Sequence, residues 1–427
     1  MKNALISVLV VSASCGMPVV APDAGGPAAG GSASAGGIAS AGGFVSAGGF
    51  ATAGGGLASA GGFASAGGAA AGGTATAGGT ATAGGSAGGS VSTGRLIAYV
   101  GSGNGNITAY AVNATTGAMA LLGATNGGTN PSFLAFDVPR SRLYAVNEGN
   151  PGQIAAFELR ADAGISLINR VSSQGAGPAH VSVHPSGRFV MAANYTGGNI
   201  AILPVRDGGL GAATDTDPSG GQAHQIIADA TGRFVYVPCK AADYVAQYRF
   251  DADAGTVSAL TPATVATAAA AGPRHLALHP GGQWAFLINE LDDTMTSMRV
   301  AADGRLTAVD TKSTLPAGFS GTNTCAEVQV HPNGRFVFGS NRGHNSIVSF
   351  SFDETSGALT LVGHTPTGGA TPRHFDLDPS GQLLLVANQG AGNVHALRIE
   401  PSTGVLTPLG LQATVNSPAF VGMVSLP

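Results

Sequence analysis

Charge is scarce in this chain. Only 10% of its 427 residues are Asp, Glu, Lys or Arg, the formal net charge is −4, and no run of Lys or Arg occurs. Nucleic acids and anionic membrane surfaces are met by basic stripes, so neither is implied as a partner. Cysteine is scarcer still, with Cys15, Cys239 and Cys325 as the full set. Three cysteines make no disulfide framework, and no Cys/His spacing of the zinc type is present, so no structural metal is expected. Cys239 and Cys325 read as buried small hydrophobes. The glycine-rich run Gly101-Ser102-Gly103-Asn104-Gly105-Asn106 is no phosphate loop, because no helix can follow it; it reads as a hairpin turn.

What the chain does have is a repeat. From about residue 95 to the C-terminus a unit of roughly 45 to 52 residues recurs, clearest as GPAHVSVHPSGRFVMAAN (177–194), GPRHLALHPGGQWAFLIN (272–289) and TPRHFDLDPSGQLLLVAN (371–388). Its phase is set by a turn between two alternating apolar runs: His184-Pro185-Ser186-Gly187, His279-Pro280-Gly281-Gly282, His331-Pro332-Asn333-Gly334 and Asp378-Pro379-Ser380-Gly381, with weaker copies at Asp137 and Asp229. Proline presets φ and the glycine permits the reversal, so the flanking runs pair as an antiparallel hairpin. Two further turns and two further strands complete each unit, and four strands make one blade of a β-propeller.

Six anchors give six blades. A seventh is expected from the two ends of the chain, where Ser417 to Val424 reads as an innermost strand with nothing after it. Arg95 to Tyr110 reads as second and third strands with no first strand before them. Joining them closes the ring and removes an open sheet edge. The expected fold is thus an all-β, seven-bladed propeller over residues 92–427.

Residues 24–91 are almost wholly Gly, Ala, Ser and Thr, with too little side-chain volume to offset the entropy of ordering. They read as a disordered tether able to hold the domain roughly 45 Å from an anchor. Residues 1–23 carry Lys2, a short apolar stretch from Ala4 to Val11, and Cys15. Val11-Ser12-Ala13-Ser14-Cys15 resembles a bacterial lipoprotein signal with Cys15 as the lipid acceptor, although Ser12 stands where Leu is usual. An exported, membrane-anchored lipoprotein of the periplasm or cell surface is expected; ordinary signal-peptide secretion and a cytoplasmic chain are the alternatives.

In an antiparallel blade the start of the inner strand and the end of the second strand lie at the same end of the sheet, near the ring axis. Five residues before each anchor the chain carries Ser132, Ala179, His224, Arg274, Ala326, Arg373 and, in the closing blade, Ala419; the next slot holds Phe133, His180, Gln225, His275, Glu327, His374 and Phe420. The second strands end on Ser102, Glu148, Tyr195, Lys240, Glu290, Arg342 and Gln389. Three Arg, one Lys, three Glu and four His therefore converge on one rim of a charge-poor chain, which points to a task. For His180, His275 and His374 a structural role in filling the axis is the competing reading, and Arg274 and Glu290 can simply pair with each other. Arg342 and His224 have no partner under that view. His184, His279 and His331 belong to the turns.

Gly272-Pro273-Arg274-His275 with Ile288-Asn289-Glu290, Ala193-Asn194-Tyr195 with Gly198-Asn199, Ser340-Asn341-Arg342 and Thr371-Pro372-Arg373-His374-Phe375 resemble the seven-bladed propeller lactonase family, which includes 6-phosphogluconolactonases and carboxy-muconate lactonizing enzymes. The likeness covers residues 95–427. It implies a metal- and cofactor-free hydrolysis of a sugar lactone, with His224, Arg274, Glu290 and Arg342 as the catalytic set. His180, Asn194, Tyr195, His275, Glu327, Arg373 and His374 are expected around the substrate. Glu290 or His224 is the base or acid, and the two arginines bind the anionic group and the oxyanion. Cys239-Lys240 departs from the acidic or small residue usual in that family. A muconate-type cycloisomerase and a non-catalytic, surface-tethered ligand-binding propeller are the alternatives, and a monomer is expected. Sugar phosphates are cytoplasmic, so an exported copy leaves the physiological lactone open.

Overall fold

A computed structural model describes residues 94–427; the tether over 24–91 and the Cys15 signal lie outside the described residues. Seven antiparallel sheets are present, and the ring closes as expected, with all-β blades and only two short 3-10 turns at Val138–Arg140 and Lys240–Ala242. Blade 1 takes its inner strand, Pro418–Leu426, from the C-terminus and pairs it antiparallel with Arg95–Ser102, Tyr99 opposite Gly422 and Val100 opposite Val421. Asn106–Val112 and Met119–Asn126 complete that sheet. Blades 2 to 7 follow in chain order from Leu134, Pro178, Ile227, Pro273, Cys325 and Pro372.

The second strands are largely apolar, and those of blades 5 to 7, Trp284–Asn289, Phe336–Asn341 and Leu383–Asn388, are buried throughout. A strand flanked within its sheet and covered on both faces has no wet side, so it loses the polar alternation. The faces are covered by neighbouring blades. Seven hydrophobic clusters form, one for each blade-to-blade contact; that between blades 5 and 6 packs Phe286, Ile288 and Met295 against Val328, Val337 and Phe350.

The turn histidines staple these contacts. His184, His279 and His331 place Nε2 at 2.8, 3.0 and 2.8 Å from the carbonyls of Gly232, Gly334 and Gly381, each in the next blade's turn. Where the anchor is Asp instead, its carboxylate accepts from its own turn, as Asp229 does from Arg233 and Phe234 and Asp378 from Gln382 and Leu383. Cys239 and Cys325 are buried free thiols, as expected.

Blade 4 departs from the pattern. Its inner strand is only Ile227–Ala228, and His224 and Gln225 precede it outside any strand. A bridge between Ala223 and Cys239 and a bond from the His224 N–H to Pro238 O (2.9 Å) hold them in place.

Ending the chain at Ser417 removes the inner strand of blade 1 and leaves Arg95–Ser102 as an unpaired edge. The truncated protein should lose its cooperative unfolding transition and elute as aggregate in size-exclusion chromatography. A monodisperse variant with an unchanged Tm would contradict the closure.

Candidate active site

The rim is registered by a recurring backbone contact. The N–H groups of Tyr195, Lys240, Glu290, Arg342 and Gln389 donate to the carbonyls of Gly177, Gln222, Gly272, Thr324 and Thr371, at 2.7–3.0 Å. Each residue that ends a second strand is thereby fixed beside the start of its own inner strand. Gly272 sits at φ 63°, and a Cβ there would come within 2.6 Å of the Leu291 side chain, so glycine is required at the contact that places Glu290.

A β-bulge then separates two consecutive side chains. In blades 3, 5 and 7 the ladder shifts between Pro178 and His180, Pro273 and His275, and Pro372 and His374. Blades 1 and 6 shift at the equivalent place. Alternation alone would send residues 274 and 275 to opposite faces of the sheet; the extra residue re-aims one of them. Arg274 accordingly meets Glu290 at the rim, whereas His275 meets Glu327 on the axis.

Glu290 is the centre of the rim. Lys240 Nζ and Arg342 Nη2 lie 2.9 and 3.1 Å from its Oε1, and Arg274 Nε lies 3.2 Å from Oε2. The two guanidinium groups are held in turn by backbone carbonyls, Arg274 Nη1 donating to Ala326 O at 2.6 Å and Arg342 Nη2 to Cys325 O at 2.8 Å. Burial opposes ionisation of Glu290, but Arg274, Arg342 and Lys240 outweigh it and hold the carboxyl at about 2. Burial pushes Arg274 down to about 9, with Arg342 adding to the shift and Glu290 resisting it. At neutral pH the cluster is one carboxylate among three cations.

His224 stands beside it, 6% exposed, with ring centroids 5.3 Å from Tyr195 and 5.0 Å from His275. Burial, then Arg274 and His275, hold it well below the ordinary histidine value, so it is neutral. Its Nδ1 has no protein hydrogen-bond partner. Tyr195 accepts from Lys240 Nζ at 3.3 Å. Glu148, across the mouth, accepts from Asn130 Nδ2 (2.9 Å) and Ser132 Oγ (2.5 Å), and it is the leading charge that resists the downward push of burial on Arg373.

The other expected binding residues lie under the rim. Phe133, His180, Gln225, His275, Glu327, His374 and Phe420 form a plug across the axis, His180, His275, Glu327 and His374 each no more than 4% exposed. His275 Nδ1 and His374 Nε2 approach Glu327 Oε2 at 2.9 and 3.3 Å, and Phe133 packs 4.1 Å from His180 and 4.8 Å from Phe420 between ring centroids. Below this layer a cavity of about 270 Å³, lined by Glu327, Gln225, Gln329 and Pro280 among others, occupies the axis toward the opposite face. Asn194 is fully buried and donates Nδ2 to Ser173 O at 2.8 Å, as Asn147, Asn341 and Asn388 do to their own loops. Its Nδ2 thus pins the loop that precedes the blade. Lys240, in turn, was placed on the rim by its slot, but its contact with Glu290 across a blade boundary has no local sequence signal. Among the described residues no group of three or more His, Cys, Asp or Glu is placed to hold a metal ion.

A family model described as "Lactonase, 7-bladed beta-propeller" matches residues 96–423. The chain belongs to the seven-bladed β-propeller lactonase family. The lactonase domain is 36% identical over 210 residues to a 6-phosphogluconolactonase of Pectobacterium carotovorum, an alignment covering 49% of this chain and 63% of that protein. It is 31% identical over 264 residues to one of Serratia proteamaculans, covering 61% and 78%. Among solved structures, a periplasmic gluconolactonase of Pseudomonas aeruginosa superposes with TM-score 0.73 at 28% identity, over 78% of this chain and all of that one.

The plug makes the stability of this protein sensitive to mild acid. His180, His224 and His275 are held well below the usual value and His374 at about 4, in each case chiefly by burial. A buried histidine with a depressed folded pKa costs nothing above the unfolded value of about 6.5, and destabilises as pH falls below it, because only the unfolded chain takes up the proton. Burial raises Glu327, and raises Asp376 to about 7; the folded chain keeps their protons, so both act in the opposite sense and offset part of the histidine effect. The denaturant midpoint should therefore fall between pH 7.5 and 5, and less so in a His374→Gln variant; a flat profile would contradict the neutral plug.

Proposed function

We propose that this protein hydrolyses a sugar lactone to its open hydroxy acid, with His224, Arg274, Glu290 and Arg342 as the working set. One observation carries the reading: an ionised carboxylate clamped by three cations stands next to a neutral imidazole whose Nδ1 is unpartnered. That pairing supplies what ester hydrolysis needs, a base for water and fixed positive charge for the oxyanion. The named relatives are 6-phosphogluconolactonases and a gluconolactonase, and a gluconolactone is the substrate class proposed.

The His224 imidazole takes a proton from water as the oxygen adds to the lactone carbonyl. Arg274 and Arg342 meet the charge that develops on the carbonyl oxygen and any anionic substituent of the ring. Glu290, whose oxygens are engaged by Lys240, Arg342 and Arg274, orients these cations. Tyr195 and Arg373 border the mouth, and His180, His275, Glu327 and His374 support its floor.

Residues 92–427 act as one catalytic domain in this reading. Export is supported by the periplasmic gluconolactonase of similar structure, and Cys15 with the 24–91 segment is the proposed lipid anchor and tether. A Cys15→Ser variant should leave the membrane fraction for the soluble one; persistent membrane association would refute the anchor.

Proton release on glucono-δ-lactone, its 6-phosphate and a muconolactone tests the activity. Glu290→Gln should keep the circular dichroism spectrum and lose about 100-fold in kcat/KM, and undiminished turnover would remove it from the site. Arg274→Ala should raise KM most for the phosphorylated lactone, and equal effects on the neutral one would remove the anion-binding role. Preference for the muconolactone would favour the cycloisomerase, and no turnover by the wild type would favour a ligand-binding propeller.

A further inference from the structure

The catalytic set leaves Lys240 without a task, although its ammonium is closer to Glu290 than either guanidinium is. It begins the 3-10 turn Lys240–Ala242, next to the buried Cys239. The following residue, Asp243, accepts from the N–H groups of Ala270 (2.7 Å) and Gly272 (2.9 Å), in the loop that leads into Arg274. Lys240 is thereby fixed to the blade carrying Arg274 and Glu290. Its side chain is 14% exposed, and its Nζ contacts account for two N–H groups, one toward Glu290 Oε1 at 2.9 Å and one toward Tyr195 OH at 3.3 Å. The third is available to a molecule in the mouth.

Opening a lactone needs a proton donor as well as a base, because the ring oxygen leaves as an alkoxide. Glu290 has no proton to give at neutral pH, and the two guanidinium groups spend N–H donors on Glu290 and on the carbonyls of Ala326 and Cys325. A proton held on His224 would put a further positive charge among Arg274, Arg342 and Arg373, where burial already disfavours it. Donation from Lys240 while His224 accepts from water keeps the total charge of the pocket constant.

Resting on the lactonase reading, the geometry points to Lys240 as the proton donor to the leaving ring oxygen. Water loses a proton to the His224 imidazole as its oxygen bonds to the carbonyl carbon. The bond from that carbon to the ring oxygen breaks, its electron pair goes to the ring oxygen, and this takes a proton from Lys240. As product leaves, the imidazolium gives the water's proton to solvent and the Lys240 amine takes one up in exchange. The net change is one water added, and the carboxylic acid product ionises on release.

Two lactones and two variants test this. Glucono-δ-lactone expels a strongly basic alkoxide, while dihydrocoumarin expels a phenolate of about 10, which leaves without help. Lys240→Arg keeps the ion pair to Glu290 but cannot donate. It should lose about 100-fold or more in kcat on the sugar lactone and only several-fold on dihydrocoumarin. Lys240→Ala should show the same split, with added methylammonium chloride restoring the sugar lactone alone. Equal losses on both lactones, or no loss, would overturn the assignment, as would absence of amine rescue. A wild-type protein inert on both would instead overturn the lactonase reading, and this role with it.

Discussion

Seven inner strands converge on one axis, and the side chains they carry there pack against one another largely away from water. Everything at the centre of this molecule follows from that crowding. Apolar rings fill part of the space, with Phe133 and Phe420 in contact, and the histidines beside them are kept neutral by burial. Where charge is admitted it is bunched around one carboxylate, because an isolated ion there would be prohibitively desolvated. Three cations around Glu290 leave the cluster with an excess of positive charge, which a negatively charged or strongly polarised ligand oxygen relieves. The proposed binding and rate acceleration are two uses of that same imbalance.

The ring itself was readable from the chain because its punctuation is local. The Pro-x-Gly turn that follows each His or Asp anchor in blades 3, 5, 6 and 7 favours a hairpin, and the recurrence of the anchors at about 50 residues sets the blade count. The rim was readable too, since strand polarity decides which ends of the strands meet, and counting from the turns placed Arg274, Glu290, Arg342 and His224 at one mouth.

What escaped that counting is whatever depends on distance between blades. Strand counting makes slots 274 and 275 neighbours on one rim, yet the bulge sends Arg274 to Glu290 and His275 to Glu327. Lys240 was on the rim by register, but only the 2.9 Å contact across 50 residues of chain makes it part of the Glu290 cluster. Asn194 sits in a motif beside Tyr195 and shares its apparent address, while its amide is committed to a loop carbonyl that no spacing rule identifies. Short blade-4 pairing before His224 is of the same kind, since a bridge and one backbone bond replace a strand there.

The closure of blade 1 sets an order of events in biosynthesis. Arg95–Ser102 is made first, but its inner partner Pro418–Leu426 follows only after the strands of the other six blades. Until those residues emerge, the first sheet stands open with an unpaired edge, ready to pair with another chain. The ring therefore closes late, and the interval before it does is when this protein is most exposed to aggregation.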